Sequence, residues 1–186
     1  MILTVAQVAG ACRSDPLHVA TNWPVLCDAL ARYAVEDGPT EVALAATVAV
    51  ETAYTFQPCS EKWARGETMD TYFTRKYAPP ARVAHWLGNR DAEDAVHFRG
   101  RGFIQITGRA NYTTYGNKVG VDLLTTPERA LDPYVSADIA ACYVADHHVP
   151  ALAAAGDWPG VRAAVNGGVN GLAEFQAIVD VLLTHL

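Results

Sequence analysis

No apolar run in this sequence approaches the ~18–20 residues needed to cross a bilayer. There is no excess of basic charge either: 14 Lys+Arg stand against 20 Asp+Glu. That balance argues against electrostatic attraction to nucleic acid or to anionic membranes, so neither a nucleic-acid partner nor a stable membrane association is expected. The arginines of RGRG, residues 99–102, are too few to reverse it. No C-x-x-C pair or Cys/His cluster is present, which speaks against structural zinc. Cys12, Cys27, Cys59 and Cys142 read as reduced, mostly buried thiols, with a Cys12–Cys27 bridge as the alternative. The opening MILTVAQVAG lacks a basic leader and reads as an amphipathic first helix rather than an export signal. Internal repeats and low-complexity linkers are also missing.

What is present suits a globular fold. With 186 residues, 51% hydrophobic and 18% charged, the chain can bury a core and is expected to form one domain, 1–186. The pattern is mostly helical. Thr4 can cap a first helix reaching about residue 12, and Asp15-Pro16 marks a break. Asn22-Trp23-Pro24 would open a second helix ending near residue 33, with proline in its first turn. Asp37-Gly38-Pro39-Thr40 caps EVALAATVAVETA, which is apolar nearly all round and therefore central; its last turn holds Glu51. Residues 54–67 look irregular. Helices are expected at about 69–76 and 81–87, the latter stopped by Gly88-Asn89. Others are expected at about 109–118, 135–148, 158–165 and 172–183. The fold class is mainly α with one small β element.

That element is HFRGRGFIQITGRANY, residues 97–112. Alternation in a strand would send Ile104 and Ile106 to the core, and Phe103, Gln105 and Thr107 to an open face. An aromatic, an amide and a hydroxyl on one face suit a sugar. Gly100 and Gly102 remove side chains just before that face and let a ligand or backbone approach. The same pattern also fits a hairpin whose glycines serve only turns. A phosphate loop fits poorly, because GRGFIQ lacks the third glycine and the lysine. Adjacent His147 and His148 point to different sides of a helix, and His85 and His97 lack partners at ligand spacing, so no metal and no cofactor are expected.

FRGRGFIQITGRANY resembles the signature of glycoside hydrolase family 19, which holds plant chitinases and many phage endolysins. VAVETAYTF resembles the family's helix-ending glutamate segment, and VNGGVNG, residues 165–171, its Asn-Gly-Gly turn. The tail GRGFIQITGRANY is closer to phage and bacterial members, including mycobacteriophage endolysin modules, than to plant chitinases. The resemblance implies a lysozyme-like helical fold with a cleft beside a small sheet, and hydrolysis of β-1,4 bonds next to N-acetylated amino sugars. It assigns Glu51 as general acid, and Gln105 and Thr107 as the Gln-x-Ser/Thr pair whose hydroxyl holds the attacking water. Asn111 and Asn166 match substrate-contacting asparagines, and Phe103 joins them on the expected open face. The second carboxylate is Glu61, ten residues after Glu51, with Glu67 as competitor. Thr52-Ala53-Tyr54 departs from relatives that have a small residue and two glycines there, which leaves the choice open.

An inverting glycosidase needs one protonated and one ionised carboxyl, ~6.5–9.5 Å apart so that a water fits between. Glu51, at the negative end of an apolar helix, is placed for a raised pKa. Glu61, in a polar segment, would stay ionised and act as base. The expected partner is therefore the glycan strand of peptidoglycan, cut as by an N-acetylmuramidase acting as a monomer. A chitinase acting on GlcNAc polymers and a glycan-binding module without chemistry are the alternatives. An endolysin of this kind would stay in the host bacterial cytoplasm until another protein permeabilises the membrane. The chain could be complete or one module of a larger endolysin with peptidase and wall-binding parts.

Overall fold

The computed structural model describes residues 1–186. Eleven α-helices, one 3-10 helix and two short strands follow one another, in agreement with the mainly α expectation. The chain divides into two compact units: Met1–Gln57 with Ala140–Leu186, and Pro58–Ile139. No linker composition marks either boundary, and the second falls inside a helix, α8 (Pro133–Asp146).

In the first unit, Thr4 caps α1 (Val5–Cys12) through a reciprocal pair with Gln7, as its spacing implies. α2 (Pro16–Arg32) starts earlier than Asn22-Trp23-Pro24 suggested. Asp15 accepts the Leu17 N–H at 2.8 Å, and Pro16 fills the first helical position, where a missing N–H costs nothing. Pro24 lies inside the helix, where packing of Trp23, Leu26, Cys27 and Leu30 outweighs its lost donor.

α3 (Gly38–Glu51) buries 11 of its 14 residues. Asp37 caps it by accepting the Thr40 N–H at 2.7 Å. The helix packs against α1, α9 (Val149–Ala154), α10 (Trp158–Asn166) and α11 (Leu172–Leu183), and small alanines on several sides permit that approach. One charge goes inside with it. Glu41 is 1% exposed, and its carboxylate accepts the N–H groups of Ile2 and Leu3, each at 2.8 Å.

Beyond Glu51, Ala53, Tyr54 and Phe56 have φ of 50°, 64° and 55°. Left-handed backbone costs an ordinary residue roughly 1–2 kcal/mol, and here it falls where the family resemblance would place glycines. Burial holds the loop against that cost. Phe56 is fully buried edge-on to Trp23, and its carbonyl accepts the Asn22 amide at 2.9 Å.

The second unit contains the sheet. β1 (Cys59–Ser60) pairs antiparallel with β2 (Arg101–Gly102), Cys59 opposite Gly102 and Ser60 opposite Arg101. The strand expected over residues 103–107 does not form. Arg101 and Ile106 exchange backbone hydrogen bonds at 3.2 and 3.0 Å, so the chain between them is a turn, with Gln105 at φ 58°. Phe103 gives its N–H to Ser136 Oγ at 2.8 Å instead of to a ladder. Phe103 and Ile104 are both buried and do not alternate across a sheet. The open-face reading of Phe103 is thereby corrected: its ring is fully enclosed.

The unit's helices are α4 (Met69–Tyr77), α5 (Arg82–Leu87), α6 (Ala92–His97) and α7 (Arg109–Val119). Gly88, at φ 67°, ends α5 as expected. α6 was not foreseen; it is short and polar, and its Asp91 cap on the Asp94 N–H was the signal available. Asp94 is 2% exposed and is the electrostatic centre of this unit. It accepts the Arg90 N–H and Nε at 2.9 and 3.0 Å, and a two-point bond from Arg109 Nε and Nη2. Hydrogen bonds from Arg109, then Arg90, hold its carboxyl well below the usual carboxylate range against the opposing effect of burial. A depressed native pKa stabilises the fold above the unfolded value and loses that contribution as pH falls through the native one. Asp94→Asn should therefore cost about 3 kcal/mol near neutral pH. The gap in Tm between wild type and variant should stay flat from about pH 5 to 8 and close below about pH 4. Thermal denaturation across pH measures both, and a gap that widened on acidification would contradict the ion pair.

Candidate functional site

Each compact unit carries one of the two expected carboxylates, and each carboxylate has its own surroundings. In the first unit, Glu51 ends α3 with its side chain 15% exposed. Arg162 on α10, only 4% exposed, places Nη1 2.6 Å from Glu51 Oε1. The same guanidinium donates from Nε to the Asn170 carbonyl at 2.7 Å, and Asn166 Nδ2 reaches that carbonyl at 3.3 Å. Arg162 thus ties the helix-ending glutamate to the turn of VNGGVNG. Gly171 completes the arrangement at φ 71°; a Cβ there would stand 3.2 Å from Val50 Cγ1 and 3.3 Å from Arg162 Nη2. Tyr143 donates its hydroxyl to the carbonyls of Ala164 and Val165 at the end of α10, each at 3.3 Å. Asn166 itself is exposed, so its amide is open to a ligand. An ion pair such as Glu51–Arg162 also forms in purely structural settings, so by itself it assigns no chemistry.

The second unit is more specific. Glu61 follows β1 and gives its own N–H to the Gly100 carbonyl at 2.8 Å, extending the strand pairing by one bond. Its side chain is 17% exposed and densely bonded. Oε1 accepts from Lys76 Nζ at 2.7 Å and from Tyr77 Oη at 2.9 Å. Oε2 accepts from Tyr77 Oη at 3.0 Å and from the Gly100 N–H at 3.3 Å. Burial pushes the Tyr77 phenol up to about 12, so it remains a donor at neutral pH. Burial acts to lower Lys76, but its hydrogen bonds to Glu61 and Tyr77 outweigh that and hold it above the usual lysine range.

Gly100 explains why three polar groups meet here. Its φ is not in the left-handed region, so its value lies in space. A Cβ on Gly100 would stand 3.0 Å from Gln105 Oε1, 3.1 Å from Glu61 Oε2 and 3.1 Å from Thr107 Oγ1. Those three oxygens therefore converge on the side where the glycine has no side chain. Gln105 is oriented by its other end, since Nε2 donates to the carbonyls of Cys59 and Gly102 at 2.6 and 2.9 Å and leaves Oε1 turned to the cluster. Thr107 gives its hydroxyl hydrogen to the Gln105 carbonyl at 3.1 Å, which frees its lone pairs to accept. Asn111, one turn into α7, donates Nδ2 to the Thr107 carbonyl at 2.8 Å and steadies that residue.

Of the residues expected from sequence, Glu61, Gln105 and Thr107 are brought together, with Asn111 behind them; Glu51 and Asn166 share the Arg162 network. Phe103 belongs to neither group. Glu67 pairs with Arg75 at 2.9 Å and has no place in the oxygen cluster. Arg162, Lys76 and Tyr77 were not foreseen. An arginine partner for Glu51 was conceivable, but 111 residues separate the pair and nothing local marks Arg162. A cavity of about 610 Å³ between α1, α11 and Tyr54 contains none of these groups.

No family model matches the sequence, and no curated protein does. Solved structures match over nearly the whole chain. A bacterial family 19 chitinase superimposes with a TM-score of 0.67, at 13% identity, over 98% of this chain and 95% of that one. Chitinase C from Streptomyces griseus gives 0.64 at 15% identity, over 99% of this chain and 75% of its own. A mutant of a chitinase C gives 0.66 at 15% identity over the same spans. The fold is that of the family 19 chitinases, as the motifs implied.

Replacing Arg162 by Met should destabilise the protein by about 3 kcal/mol, because Glu51 and the Asn170 carbonyl both lose a buried donor. Arg162→Lys should recover little of it, since one ammonium cannot reproduce the two-point bond. Chemical denaturation of both variants checks this; full recovery by lysine would mean that only the charge matters.

Proposed function

We propose that this chain is a glycoside hydrolase that cuts β-1,4 bonds in the glycan strands of peptidoglycan, with inversion, as an endolysin-type N-acetylmuramidase. The observation that carries the reading is the convergence of Glu61 Oε2, Gln105 Oε1 and Thr107 Oγ1 beside Gly100. Two of these three acceptors can take the hydrogens of one water and leave its lone pair free to attack. Glu61 takes the proton as the water bonds to the anomeric carbon. Glu51 gives its proton to the departing sugar oxygen, and the C–O bond breaks with the electron pair on that oxygen. Lys76 and Tyr77 fix the Glu61 carboxylate, and Oε2 is the oxygen that faces Gln105 and Thr107 across Gly100. Asn166 and Asn111 fit the role of contacts near the sugar. As an endolysin the protein would reach its substrate once another protein had opened the membrane.

A second reading, a chitinase acting on GlcNAc polymers, is favoured by the names of the structural neighbours. Mass spectrometry of digested peptidoglycan, run beside chitin oligomers, separates the two. New reducing-end muramic acid supports the muramidase; cleavage of chitin oligomers alone supports the chitinase. Binding without any new reducing end would leave a glycan-binding module.

Glu51→Gln and Glu61→Gln should each lower kcat by about 10²–10⁴-fold with the fold intact, while Glu67→Gln should stay near wild type. Gly100→Ala should lower kcat by about ten-fold or more and also lower Tm, because its methyl crowds three oxygens that are held in place. Reducing-end assays with circular dichroism check the set. Wild-type activity in Glu61→Gln would remove the base from the proposal.

A further inference from the structure

A second recess lies close to the Glu61 cluster, on the same compact unit. It is an open pocket of about 380 Å³ between α4 and α6, lined by Asp70, Thr74, Glu93, Val96, His97 and Arg99 among others. Asp70, Thr74 and Tyr77 are spaced i, i+4, i+7 on α4, so one stripe of that helix runs from the pocket to the tyrosine that binds Glu61. Arg99 adjoins Gly100 in the chain and lies near enough to feel the charge of Glu61. The pocket and the oxygen cluster are thus consecutive along two separate segments.

The lining is charged with both signs and little of it is spent. Arg99 uses only Nη1, on the Val96 carbonyl at 3.1 Å, and its Nε is buried without a partner. A guanidinium carries five N–H donors, so most of this one is unused. Asp70 and Glu93 stand in the same pocket with no ion-pair partner of their own. An uncharged GlcNAc polymer offers such groups hydroxyls and acetamides but no opposite charge. A peptide bearing carboxylates and a free amine meets both signs, the carboxylates on Arg99 and the amine on Asp70 or Glu93.

We infer that the α4–α6 pocket holds the peptide substituent of the glycan, so that Arg99, Asp70 and Glu93 select strands carrying short zwitterionic peptides over bare strands. This deepens the proposed function and rests on it. The pocket volume is large enough for a few residues of extended peptide.

The test compares kcat/KM on two preparations of the same un-crosslinked peptidoglycan, one intact and one stripped of peptides by an amidase. Wild type should favour intact strands by about ten-fold, and Arg99→Gln should bring that ratio to within about two-fold of unity. Glu93→Gln, on the exposed start of α6, should lower the same ratio and guards against a fold effect in the arginine variant. Equal rates on both preparations by wild type, or a ratio unchanged in both variants, overturns the inference while leaving the hydrolase intact. Cleavage of neither preparation overturns the proposed function itself.

Discussion

The amide of Gln105 is the bond on which the second compact unit hangs. Strands of two residues cannot hold their own register. Gln105 Nε2 reaches across to the Cys59 carbonyl on β1 and back to the Gly102 carbonyl on β2, stapling the pair and closing the turn after it. That bracket is also why a glutamine tolerates φ 58°. Because both amide hydrogens are spent on backbone, Oε1 has only one way to face. Position, orientation and the identity of the exposed atom therefore come from one side chain.

Much of the framework was legible from local signals. Thr4 with Gln7, Asp37 with Thr40, and Gly88 each mark a helix end through a contact of a few residues, and each mark is where the helix ends. The failures are of another kind. Alternating Phe-Ile-Gln-Ile-Thr satisfies a strand pattern, yet Ser136, 33 residues away, takes the Phe103 N–H and a turn replaces the strand. Pro24 suggested a helix start because proline in an interior is costly, and burial of its neighbours overrode that cost. Periodicity reports local preference, and both misses were decided by distant packing.

The candidate site divides the same way. Glu51, Glu61, Gln105 and Thr107 were named as candidates because motif resemblance preserves order along the chain. Spacing put Glu61 ahead of Glu67, and their partners differ: one sits in a cluster of donors and the other pairs with Arg75. Lys76, Tyr77 and Arg162 carry no motif at all; each is an ordinary helical residue until its contact is known. Ala53 and Tyr54 add a lesson about departures from a pattern. The missing glycines suggested an altered loop, whereas both residues sit in left-handed backbone and the strain is absorbed by the burial of Phe56.

The two carboxylates differ in how much they are allowed to move. Glu61 is held by Lys76, Tyr77 and the Gly100 N–H, with bonds on both oxygens. Glu51 is held by Arg162 through one oxygen, and the opposite oxygen is uncommitted. A base that must aim a water gains from rigidity, because misplacement of the nucleophile by about 1 Å can cost 10²-fold in rate. A proton donor must instead follow an oxygen that moves as its bond to carbon lengthens, and a carboxyl with one free oxygen can rotate about its anchored edge. The many-point hold on Glu61 and the one-point hold on Glu51 thus suit the base and the acid of the proposed mechanism respectively. Exchanging the two roles would give the rigid carboxylate the moving target.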